Sequence, residues 1–266
     1  MRGTMLAAAM AALLASGGAA EAQQEVRLFA AGSLRAAMTE LAAAHGRRGG
    51  ARVDATFAPS GLLRDRIAGG EAAHLFASAN MEHPRALERA GRSGPVLPFA
   101  RNDLCALLRP GLEVASAALL EAMLSPSTKL ATSTPRSDPS GDYAFESFAK
   151  AEAVRPGARA TLEGKALLLV GAADSIQPPK DRSAYSWHLA EGRADIFLTY
   201  CTNGIVARSE VPGIGVVAMP PGLAVGAEYG MTIVAGAPEA ARAFHDFILS
   251  REGQDVLATH GFSPVR

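Results

Sequence analysis

Short apolar runs alternate with helical spacings along most of this chain. Val26-Arg27-Leu28-Phe29-Ala30-Ala31 reads as a buried strand, Gly32 as a tight turn, and the chain from Ser33 to Met38 as the start of a helix. The arrangement repeats. Residues 52–57 alternate like a strand and end at Ala58-Pro59-Ser60-Gly61, after which Leu62, Leu63, Arg66 and Ile67 take helical spacing as far as Gly69-Gly70. A short apolar strand over 74–79 precedes a helix over 84–90, and a long strand over 99–108 is stopped by Arg109-Pro110-Gly111. A helix is expected over 116–124 and a strand over 129–132. A loop of Ser, Pro and Asp then ends at Ser140-Gly141, where Tyr143, Ala144, Phe145 and Phe148 resume helical spacing. A strand over 165–170 is followed by the polar run Gly171 to Arg182, which Pro178 and Pro179 keep out of any helix interior. A helix starts near Ser183 and carries Trp187 and Leu189, and the strand 194–200 ends at Tyr200. Two apolar stretches over 215–234, an amphipathic helix over 238–250 and a short closing helix complete the pattern.

Strands alternating with helices indicate an α/β fold of parallel βαβ units. In such sheets ligands lie beyond the carboxyl ends of the strands, where these turns fall. Ser33, Ser60 and Ser140 stand at three strand–turn–helix junctions. A helix start offers unpaired N–H groups and a positive dipole end, which suit an anion. Each serine alone reads as an ordinary cap; the repetition is what points to a ligand. Tyr200, at a strand end, either presents its hydroxyl to a cleft or packs with it satisfied.

The strand 99–108 reads as a crossing into a second lobe, and the stretch from Glu228 as the return. Lobe 1 is then 23–102 with 228–266, and lobe 2 is 103–227. Residues 1–22 read as a cleaved export signal: Arg2, an apolar run from Met5 to Ala15, and Ala20-Glu21-Ala22 as the cleavage site. The run is too short to span a bilayer.

Charge narrows the partners. The chain has 26 Lys and Arg against 26 Asp and Glu, which gives no case for nucleic acid or an acidic membrane surface. Any anion is held by local dipoles rather than bulk charge. Cys105 and Cys201 lack metal-site spacing, and form either a disulfide or two buried thiols. No Gly-x-Ser-x-Gly elbow, HExxH, Walker loop or GxGxxG after a strand occurs. The chain is therefore read as a binding module and not an enzyme.

The stretches Phe29-Ala30-Ala31-Gly32-Ser33-Leu34, Phe57-Ala58-Pro59-Ser60-Gly61, Leu75-Phe76-Ala77-Ser78-Ala79 and Pro98-Phe99-Ala100-Arg101-Asn102, with Ala243-Phe244-His245-Asp246-Phe247 and Gly261-Phe262 near the end, resemble the periplasmic molybdate-binding proteins that feed ABC importers. The resemblance covers nearly the whole chain beyond the export signal. It implies a two-lobed type II periplasmic binding protein, each lobe a mostly parallel sheet flanked by helices, joined by a two-strand hinge and closing on its ligand. It implies Ser33 and Ser60 on a molybdate or tungstate oxyanion, with the backbone N–H of Ser140 and the hydroxyl of Tyr200 from lobe 2. Counting back from Tyr200, the remaining family amide falls at Arg182. No cofactor or metal is implied, and the partner is an inner-membrane ABC permease served by a periplasmic monomer. Two departures stand out. His74 occupies a position usually acidic, and the segment Gly171 to Arg182 is longer and richer in proline than the family's short turn. If Lys180, Arg182 or Trp187 enters the cleft, the alternative is a different oxyanion or a small organic anion. The segment 171–188 decides between these readings.

Overall fold

The computed structural model describes residues 25–265, so the expected export segment 1–22 lies outside the described residues. The chain runs β1 (Val26–Ala31), α1 (Arg35–Arg47), β2 (Val53–Ala58), α2 (Ser60–Ala68), β3 (Leu75–Ser78), α3 (Glu82–Arg89) and a long β4 (Leu97–Leu108). It continues α4 (Leu119–Leu124), β5 (Leu130–Ser133), α5 (Pro139–Val154), α6 (Ala158–Lys165), β6 (Leu167–Val170), α7 (Ala184–Ala190), β7 (Ile196–Tyr200), α8 (Cys201–Glu210) and β8 (Gly215–Ala218). β9 (Gly226–Ile233), α9 (Glu239–Leu249) and α10 (Arg251–Thr259) close it.

Two lobes share one plan. In the first, β2, β1 and β3 are parallel neighbours in that order, and β9 runs antiparallel to β3. In the second, β6, β5 and β7 are parallel neighbours, and β4 runs antiparallel to β7. β1 is buried apart from Arg27 because helices cover both of its faces. Val26, Leu28 and Ala30 point into the core under α1, α9 and α10, while Phe29 points to the opposite core with Leu63, Ile67, Phe76 and Leu87. In the second lobe, Leu104, Leu130, Phe148, Leu162 and Leu198 form one core, and Leu107, Leu189, Phe197 and Ile214 the other.

β4 belongs to both lobes. Leu97 to Asp103 pairs with β9, and Leu104 to Leu108 pairs with β7 and β8. β9 is entered across the same junction, where the Leu104 N–H donates to the Val225 carbonyl at 3.1 Å. Cys105, one residue further along β4, forms a disulfide with Cys201, the first residue of α8 (Cα–Cα 4.9 Å). This settles the open pairing.

Most expected elements appear within a few residues of their sequence positions. The chain after β1 does not enter an α-helix at Ser33: Gly32–Leu34 form a 3-10 turn, α1 begins at Arg35, and Ser33 makes no capping bond. Two helices were not anticipated. The pattern gave no expectation for α6, and it ended the strand 194–200 at Cys201 where α8 in fact begins.

Candidate functional site

The carboxyl ends of β1, β2 and β3 look across a cleft toward those of β6 and β7. Between them lies a cavity of about 650 Å3, with Ser33 and Ser60 in the first-lobe wall and Asp138, Tyr185 and Tyr200 in the second. This is where the switch-point rule for parallel sheets puts a ligand.

Ser60 is the first residue of α2 and is fully buried. Its Oγ accepts from the Ala79 N–H at 3.1 Å, so its own proton is not used by that bond. Ser33 Oγ lies 2.9 Å from the Tyr229 hydroxyl, which in turn accepts from Asn102 Nδ2 at 3.2 Å. Having accepted from Asn102, Tyr229 still has a proton for Ser33. Burial pushes the Tyr229 and Tyr200 phenols well above 10, so both stay protonated donors. Tyr200 donates to the Ala79 carbonyl at 3.1 Å, which is a bond from the second lobe to the first.

Ser140 and Arg182 stand differently from expectation. The Ser140 N–H donates to Asp138 Oδ1 at 3.0 Å, as does its hydroxyl, and Ser140 does not reach the cavity wall. Asp138 is the N-cap of α5 and takes the anion position at that helix end. Arg182 does line the cavity, but its backbone N–H donates to the Pro179 carbonyl at 3.2 Å in a local turn. The amide expected to meet a ligand is therefore committed within its own loop.

The segment 177–185 forms one wall of the cavity. Glu210 on α8 anchors its end: both carboxylate oxygens accept from the Ser183 N–H, at 2.9 and 3.0 Å, and the Arg182 guanidinium lies 3.5 Å away. Trp187 stays out of the cleft and stacks under Arg193, 4.0 Å from the ring centroid. On the facing lobe, Arg35 lines the cavity with its guanidinium 4.6 Å over the Phe57 ring. His74 has a structural part: its Nδ1 accepts from the Arg27 N–H at 3.1 Å, beside the start of β3.

The lobes also touch directly. The Gly61 N–H donates to the Ser137 carbonyl at 2.8 Å, and Asn102 Nδ2 donates to Thr202 Oγ1 at 2.8 Å. A Cβ at Gly61 would come 2.4 Å from the Arg136 carbonyl oxygen, so this approach requires glycine. The chain has four tyrosines, and all of them gather here. Tyr200 lies 6.2 Å from Tyr143 and 5.4 Å from Tyr229, centroid to centroid, and Tyr185 shares the cavity wall with it.

Asp138, Tyr185, Tyr229 and Asn102 were not anticipated. Asn102 and Tyr229 meet only because β4 and β9 pair across the lobe junction. Asp138 carried a local signal: an acid just before Pro139-Ser140-Gly141 has the spacing of an N-cap with proline at the first helical position.

The sequence profile of the bacterial extracellular solute-binding proteins matches residues 26–263. The chain belongs to this family. Its members are solute-binding components of ABC transporters rather than enzymes. An uncharacterized protein of Pasteurella multocida is 35% identical over 241 residues, covering 90% of this chain and 99% of that protein. Among solved structures, the periplasmic molybdate-binding protein of Azotobacter vinelandii is similar with a TM-score of 0.73 at 19% identity, covering 91% of this chain and 100% of that one. PEB3 with bound L-phospholactate is similar with a TM-score of 0.69 at 14% identity, covering 90% and 100%. At these identities the likeness establishes the two-lobed type II binding-protein fold.

Proposed function

We propose that this solute-binding protein is the periplasmic, monomeric receptor of an inner-membrane ABC permease, and that it captures a small anion whose oxyanion head rests on Ser33 and Ser60. The observation that carries this is the sense of the hydrogen bonds behind the two serines. Ser60 accepts from Ala79, and Ser33 is backed by the Asn102–Tyr229 relay, so each has a proton to give to an anion in the cavity. Neutral donors at the ends of strands and at the start of α2 hold an oxyanion without a full countercharge.

Molybdate and tungstate are the free ions that suit this donor set. A small organic anion carrying such a head is the reading the cavity favours. The segment 177–185 forms a wall of the site, and Arg35 sits beside the serines as a second anion contact. The volume, about 650 Å3, falls in the range of small-molecule sites, about 300–1,000 Å3. L-phospholactate, seen in the similar PEB3 fold, has this chemistry. A thermal-shift series with molybdate, tungstate, sulfate, phosphate, L-phospholactate and small hydroxy acids tests the assignment. At a hundredfold excess over Kd, a ligand adds about 2.7 kcal/mol to the folded state. The largest shift is expected for an organic anion. A shift confined to molybdate and tungstate replaces the organic reading with the free-ion one, and no shift with any anion refutes both.

A further inference from the structure

Asp138 is a carboxylate in the wall of a cavity read as an anion site, 9% exposed. It faces Ser133 at the end of β5, Ser140 and Asp142 on α5, Gly171 after β6, Tyr185 on α7, and, further off, Tyr200 on β7 and Tyr229 on β9. None of these is a cation, and the nearby acid Asp142 opposes its ionisation. The cavity's cations lie elsewhere on its wall: Arg35 on Phe57, Arg182 beside Glu210, and Lys180 with Asp181 in the same loop. A ligand oxyanion entering this cavity therefore shares its wall with a buried carboxyl group that has no cation of its own. Where a bound oxyanion approaches that carboxyl group, the two do not both stay ionised; one proton is retained by the pair.

We propose that the anion binds together with one proton, shared between Asp138 and the ligand oxygen nearest to it. This rests on the anion-receptor reading above and adds the protonation state of the bound species. A ligand whose oxyanion carries its own acidic O–H, such as hydrogenphosphate, supplies the proton and donates it to Asp138. A ligand without one, such as sulfate or molybdate, binds only as Asp138 takes a proton from solvent and donates it back. The balance is one proton in either case, with no other bond made or broken. Burial already favours the protonated carboxyl, against the hydrogen bonds from Ser140 and Ser133 that favour the ionised one.

The test is titration calorimetry of the intact protein with sulfate, molybdate, phosphate and L-phospholactate from pH 5 to 9, in buffer pairs of different ionisation heat. Asp138→Asn keeps a capping acceptor for α5, and Asp138→Ser is a second variant of the same kind. With the wild type, affinity for sulfate or molybdate should fall tenfold per pH unit above the pKa of the free carboxyl, with one proton taken up per anion. In both variants the slope should vanish and the preference should move toward the proton-free ions. A flat wild-type profile overturns the proposal while leaving the receptor reading intact. An unchanged slope in the variants does the same. No heat with any anion overturns the receptor reading and the proposal with it.

Discussion

Gly61→Ala tests whether the closed arrangement of the lobes is what holds the ligand. Gly61 is on α2 in the first lobe, and its N–H donates across the cleft to the Ser137 carbonyl. An added Cβ would come within 2.4 Å of the Arg136 carbonyl oxygen, 2.7 Å of the Ser137 oxygen and 2.9 Å of the Ser137 Cα. These are backbone atoms, so no side chain can turn aside to relieve the contact. The lobes must separate or the 136–137 loop must shift. Overpacking of this kind costs about 1–3 kcal/mol, and the lost hydrogen bond about 1 more. The closed form thus loses about 2–4 kcal/mol, which lowers affinity by about 30- to 1,000-fold. Each lobe's own core is untouched, and alanine is a better helix former than glycine. Titration of whichever anion gives the largest thermal shift, beside small-angle scattering with and without it, reads both effects. The variant should bind weakly and stay open, with an unfolding transition in the absence of ligand close to the wild type. Affinity within threefold of the wild type would refute the argument.

Ser33→Ala and Ser60→Ala should each weaken anion binding by about 1–3 kcal/mol, because each leaves a desolvated ligand oxygen without a donor; unchanged affinity in both, by calorimetry, removes them from the site. Cys105 and Cys201 close a loop across 96 residues, and reducing the bond should lower stability by about 2–5 kcal/mol in denaturant titrations; two titratable thiols in the denatured, unreduced protein would contradict the bridge. His83 is buried with neither ring nitrogen hydrogen-bonded, and burial lowers its pKa from 6.5 to about 4. Its folded value is below its unfolded one, so its neutral form supports the fold above pH 6.5 and that support is lost as pH falls toward 4, at most about 3 kcal/mol. His83→Leu should flatten this acid branch of a pH–stability curve, and an unchanged branch would show that other groups set it.

Much of the fold was legible because the inner parallel strands are buried on both faces and read as plain apolar runs between turns. β1, β3 and β7 are fully or nearly fully buried, and each lies within a residue or two of its expected place. α8 was missed because its first residues, Cys201-Thr202-Asn203-Gly204, are poor helix formers; there the packing against β4 and β8 overrides local propensity. Ser60 and Tyr200 come together because one opens a helix and the other ends a strand, and Ser33 joins them from the turn that follows β1, positions that pattern alone locates. The hydrogen-bond partners were not legible. Whether the Ser140 amide meets a ligand or its own cap depends on one Asp138 rotamer, and whether Arg182 offers an amide depends on a turn at Pro179. Neither leaves a trace in periodicity.

The gathering of all four tyrosines around Tyr200 has an optical consequence. In most proteins of this size the near-ultraviolet tyrosine bands average over scattered positions, and a local event is diluted. Here every phenol of the chain lies within the shell that surrounds the cavity, two of them in its wall and one bonded to Ser33. The tyrosine difference spectrum of this protein is therefore a spectrum of the cleft, obtained with no label attached.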